Sequence, residues 1–149
     1  DPRRSWPINN WVILAKSLSV RYKVTIVKTP ESSALIKQLK DSELQVNYFE
    51  GGLVDFKLWL QEQQCLISLD SMAGHLAAYL DIPTISLFGP QNPELTRPLN
   101  KLGAVVTPDS HCNHEVDHWR LCGPCMESIA PEKVLKTVFS LLSQMRIDA

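Results

Sequence analysis

From Leu69 to Gln91 the chain reads LDSMAGHLAAYLDIPTISLFGPQ, and four of its residues could do chemistry together. Asp70 and Ser71 end an apolar run, Met72 opens a segment of helical composition, and His75 falls about one turn inside it. The first N–H groups of a helix have no partner within it and carry a partial positive charge. The backbone at Ser71 and Met72 therefore offers donors to a phosphate. Asp70 can accept hydrogen bonds from ligand hydroxyls. An imidazole N–H at His75 adds a donor, and a nearby phosphate favours its charged form. This is chemistry for a phosphate-bearing ligand. The plainer reading has Asp70 or Ser71 capping the helix, where both types are preferred, and His75 on the surface. A capped helix start can also bind an anion, so the two readings are compatible.

Other segments add candidates. Arg3 and Arg4 precede the first helix; they are either solvated or, where that segment folds over the ligand, a guanidinium fork for a diphosphate. The stretch FGPQNPELTRP reads as a rigid loop, Gly89 giving backbone freedom and the prolines stiffness. Residues 108–126 form a Cys/His-rich loop in which Cys112, His114, Cys122 and Cys125 could make a structural zinc quartet. The Cys112-to-Cys122 separation is not a standard finger spacing, so unbound or locally paired thiols are the alternative there. Cys65, inside CLISL, reads as a small hydrophobe. G-x-S-x-G, P-loop and G-x-G-x-x-G patterns are missing, which weakens hydrolase, ATPase and dinucleotide-dependent hydride-transfer readings.

These groups need elements to hold them. RRSWP opens a first helix with Trp11, Leu14, Ala15 and Leu18 on one stripe. A strand over 23–28, a helix over 31–40 and a strand over 44–49 follow, the last broken by Gly51-Gly52. A helix over 53–63 turns Leu53, Phe56, Trp59 and Leu60 inward. Then come a strand at 65–69, a helix at 72–80 and strands at 84–88 and 104–107. Pro131 starts a closing helix with Val134, Val138, Leu142 and Met145 in an i, i+4 rhythm. Strands alternate with helices, and the central strands lack in/out alternation. The expected fold is α/β: a Rossmann-like parallel sheet with helices on both faces. Such a domain normally opens on a strand, and here helix signals come first. Residues 1–149 thus read as one domain without its opening strand or an N-terminal partner domain.

The 149 residues, 44% hydrophobic and 21% charged, have ordinary globular composition. A net charge of −1 argues against a nucleic-acid partner. No apolar run approaches the ~20 residues that cross a bilayer. The expected location is cytoplasmic, at most peripheral to a membrane.

The segment DSMAGHLAAYLDIPTISLFGPQNPELTRP resembles the glycosyltransferase family 9 signature: D-[ST]-G-x-x-H-L-A-A, then I-P-T-x-x-L-F-G-P, then T-x-P. RRSWPINNW is similar to its upstream (R/K)-x-W-P-x-x-x-W element, and CMESIAPEKV to its C-terminal C-M-x-x-I-x-x-E-x-V. The resemblance implies the C-terminal, donor-binding half of a bacterial GT-B enzyme of the ADP-heptose:lipopolysaccharide heptosyltransferase kind. It implies that Asp70 meets donor sugar hydroxyls, Ser71 and Met72 the diphosphate through N–H groups, His75 and Arg4 the same diphosphate, and Glu31 the nucleotide ribose. The catalytic base would belong to the N-terminal domain, and the acceptor, a glycan or lipid-linked glycan, would bind there. No metal would be required for the chemistry. Met72 replaces the family's usual glycine, with Gly74 expected to compensate. His114 lies near the missing fourth cysteine of a pattern many relatives carry. A non-catalytic, zinc-stabilised interaction domain is the other reading left open.

Overall fold

The computed structural model of the chain describes residues 2–109 and 122–147. Every strand pairing is parallel, as short apolar runs joined by helices require. The first sheet pairs β1 (Thr25–Val27) with β2 (Asn47–Phe49). The second runs from β3 (Leu66–Leu69) through β4 (Thr84–Leu87) to β5 (Gly103–Val106). The helices are α1 (Ile8–Ser19), α2 (Ser33–Asp41), α3 (Leu53–Leu60), α4 (Met72–Tyr79), α5 (Pro93–Thr96), α6 (Gly123–Glu127) and α7 (Pro131–Ile147).

The expected continuous sheet is thus split between β1 and β3. The pairings β2-β1 and β3-β4-β5 are compatible with the two flanks of the nucleotide-binding strand order 3-2-1-4-5-6. Among the described residues no strand pairs with both β1 and β3, and the two sheets do not join.

Packing follows the helical stripes. On α1, Val12, Leu14, Ala15 and Leu18 are buried. Leu14 and Leu18 join Ile85 and Leu87 of β4 and Val134 and Val138 of α7 in the largest core cluster. Val12 and Ala15 pack instead with Leu35 and Leu39 of α2. One helix therefore serves both flanks. On α3, Phe56 and Leu60 are buried, but Leu53 is 63% exposed. The rings of Phe49, Phe56 and Trp59 fill the interior at that turn, with Phe49 and Trp59 stacked at 4.6 Å, so Leu53 is left outside. The proline-framed segment expected as a plain loop contains α5, whose start Asn92 caps by accepting from the Glu94 N–H.

Candidate functional site

Because β3 and β4 pair in register through Leu69 and Leu87, Asp70 and the segment from Phe88 to Gln91 leave the sheet on one rim. Arg4 reaches this rim from a 3-10 turn at Pro2–Arg4. Its Nη2 donates to Asp70 Oδ2 at 2.8 Å and to the Asp70 backbone oxygen at 3.1 Å. The Asp70 side chain is only 15% exposed and that of Arg4 40%. A carboxylate so far out of water needs a cation, and this one has it. The solvated reading of Arg4 is therefore replaced by a long-range bridge.

What aims Arg4 is a contact from the far end of the chain. Trp6 is buried, and its indole N–H donates to the Ile129 oxygen at 2.9 Å. Trp11 meets the Trp6 ring edge-on, with centroids 4.9 Å apart. The short helix α6 packs against the arginine turn. It also abuts Gly89, where an added Cβ would stand 2.6 Å from Met126 Sδ and 3.1 Å from the Met126 backbone N. Gly89 was expected to supply conformational freedom, yet no described glycine has positive φ. Its function is close approach, letting α6 and the arginine turn close over the end of β4.

The helix start is open. Ser71, the residue before α4, is extended (φ −157°, ψ 164°) and makes no side-chain cap. The Asp70 carboxylate is engaged with Arg4. The capping reading is thus not realised, and among the described residues no side chain is bonded to the first N–H groups of α4. Met72 is 59% exposed and His75 is exposed near the same end. Gly74 does not compensate for Met72. It is buried against the sheet, where a Cβ would meet Ser68 Oγ at 2.9 Å and Pro98 Cγ at 3.1 Å. Position 74 faces the sheet below.

Glu31 stands apart from this group. It lies in the turn Pro30–Ser32 after β1, on the other flank, and is exposed. Its own backbone N–H, then the Thr29 side chain, holds its carboxyl below the ordinary 4.5. On the same flank Lys28 Nζ bonds Glu50 Oε2 at 2.8 Å across the ends of β1 and β2. That bond, with the Lys28 charge, lowers the Glu50 pKa.

Between Arg4, Asp70, Gly89, Gln91 and Met126 lies a cleft of about 10 Å³, room for about one water. Gln91 Oε1 is buried and without a hydrogen-bond partner among the described residues, a feature sequence reasoning missed. A roomier cavity of about 370 Å³, bordered by Thr84, Ser86, Arg97 and Lys101, includes the first residues of β4 and β5. None of the expected site residues borders it. Volume favours the second cavity; the bridged charges, the open helix start and the orphaned amide oxygen favour the first.

Two of the proposed zinc ligands, Cys112 and His114, lie outside the described residues. Cys122 precedes α6 and Cys125 is 3% exposed. Among the described residues no three His, Cys, Asp or Glu side chains gather as a metal site would require. Burial pushes the Cys65 thiol up to about 12, as its hydrophobe reading expects. No described helix is long and apolar enough to cross a membrane.

A parallel α/β fold with an uncapped helix start at a strand's carboxyl end defines a class that holds phosphate-bearing ligands at that edge. Residues 2–125 match glycosyltransferase family 9 (heptosyltransferase), and the chain belongs to that family. It is 29% identical over 153 aligned residues to lipopolysaccharide heptosyltransferase 2 of Salmonella typhimurium, covering 96% of this chain and 44% of that protein. Among solved structures, the E. coli ADP-heptose lipopolysaccharide heptosyltransferase II matches with a TM-score of 0.78 at 21% identity. That match covers 97% of this chain and 44% of the other. The E. coli heptosyltransferase WaaC with ADP matches at 0.73 and 21%, covering 93% and 40%. The chain thus spans under half the length of these relatives.

Proposed function

We propose that this chain is the donor-binding half of an inverting glycosyltransferase. Its donor would be a nucleotide-diphosphate sugar, ADP-heptose, and its acceptor a lipopolysaccharide or related glycan engaged by a further domain. The observation that carries this reading is the Arg4–Asp70 bridge beside the open start of α4. It puts a cation, a hydroxyl-accepting carboxylate and uncapped N–H donors on one rim. Family membership and the ADP held by one structural neighbour support it.

In this account the diphosphate lies at the Ser71 and Met72 N–H groups, with His75 beside it. Arg4, whose arm is the more exposed partner, leaves Asp70 for the phosphates, and Asp70 turns to the sugar hydroxyls. Glu31 meets the ribose. The acceptor oxygen attacks the anomeric carbon as its bond to the diphosphate breaks. Arg4, His75 and the helix start stabilise the negative charge that departs. The acceptor's proton goes to a base outside this chain, and the charges used require no metal.

Calorimetric titration with ADP, GDP and UDP tests this. Preference for ADP, weakened in His75→Ala and Arg4→Ala, is expected. Preference for GDP or UDP would change the donor, and binding of none would contradict the reading.

A further inference from the structure

We infer that Gln91 is a sugar-contacting residue of the donor site, its side-chain amide accepting a hydrogen bond from a hydroxyl of the transferred sugar. The inference rests on the donor reading above and adds a residue to it. Gln91 Oε1 is fully buried with no donor among the described residues, and it borders the cleft that Arg4 and Asp70 close. A buried acceptor left unpaired destabilises the fold unless something satisfies it, so its retention points to a donor that arrives. The cleft itself has room for only about one water, so little of a partner's bulk need enter to reach that oxygen.

Geometry says which part of the donor meets that oxygen. Arg4 spans the cleft through Asp70, the carboxylate assigned to sugar hydroxyls. When a diphosphate draws Arg4 away, Asp70 and the oxygen of Gln91 are uncovered together. They leave the paired strands β3 and β4 on the same rim. The donor N–H groups of α4 follow Asp70 directly, so the phosphates occupy that side and the sugar falls between Asp70 and Gln91. The two groups that Arg4 would uncover are alike. Asp70 and Gln91 Oε1 both accept, which suits hydroxyl groups and not a second phosphate.

The test is calorimetric titration of ADP and of ADP-heptose into the 149-residue chain and into Gln91→Leu and Gln91→Glu. Wild type should bind ADP-heptose more tightly than ADP. Gln91→Leu should weaken ADP-heptose by about three- to tenfold, the worth of one hydrogen bond, and leave ADP unchanged. Gln91→Glu keeps an acceptor but adds a negative charge beside Asp70 and the diphosphate, so it should weaken ADP and ADP-heptose alike. Equal ADP-heptose binding by wild type and Gln91→Leu would overturn the inference while the donor reading stands. Loss of ADP and ADP-heptose alike in Gln91→Leu, with an unchanged melt, would make Gln91 a support of the diphosphate side and also overturn it. A wild-type chain that binds neither would bring down the donor reading itself.

Discussion

The two flanks of the sheet hold their carboxyl rims in different ways. At the end of β3, the bridge joins residues 66 apart in sequence, and the tryptophan that steadies it is tied to a carbonyl 123 residues away. Asp70 and Trp6 are mostly or wholly buried. At the ends of β1 and β2, the Lys28–Glu50 pair joins neighbouring strand ends, and its side chains are 40% and 73% exposed. Glu31 is likewise held chiefly by hydrogen bonds within its own turn. The first rim is fixed by the whole fold, the second by local contacts screened by solvent. In the function proposed above, the diphosphate and sugar would lie on the first rim and the nucleoside end on the second.

The sharpest way to break this contrast is to remove the anchor. Trp6→Ala should cost about 3–5 kcal/mol, as for a buried aromatic in a core. Trp59→Ala, half-buried on the other flank, should cost clearly less; urea melts of both would show it. Equal losses would erase the distinction. Next comes Gly89→Ala, where the new methyl presses on a backbone atom of α6 as well as a flexible side chain. About 1–3 kcal/mol should be lost. A neutral result would mean that α6 can retreat and that the arginine turn is not clamped.

Arg4→Ala leaves Asp70 with no cation among the described residues. We expect about 1–2 kcal/mol of destabilisation, discounted from full burial because Arg4 is 40% exposed. Adding Asp70→Asn should recover much of it, which a double-mutant cycle would measure. The smallest effect belongs to Lys28→Ala, a slight lowering of the melt near pH 7. Its pH dependence has a definite sign. The Glu50 carboxyl is lowered in the folded chain, so the pair's contribution is present above the ordinary 4.5 and lost as pH falls through the lower folded value. The wild type should therefore lose its small advantage over Lys28→Ala in acid, and a difference that grew there would contradict the pairing.

Much of this was legible in the sequence, for local reasons. Strands and helices announced themselves through period and β-branched runs, and DSMAGH through a strand end meeting a helix start. The site's closure was not legible. Nothing near Arg4 reveals that it meets Asp70, because the contact depends on Trp6 reaching Ile129 across the core. Gly89 resembled a turn glycine because loop composition hides the close approach of α6. Gly74 seemed available to a ligand because helix phase alone does not say which face lies on the sheet. Gln91 gave no signal, since an orphaned oxygen exists only once its neighbours are placed.

The most direct measurement is an amide NMR titration of the 149-residue chain with ADP. The account predicts that the Ser71, Met72 and Ala73 amides and the Arg4 side chain shift most, with Glu31 moving less. Shifts concentrated at Thr84, Ser86, Arg97 and Lys101, around the roomier cavity, would contradict the central claim that the bridged rim is the donor site.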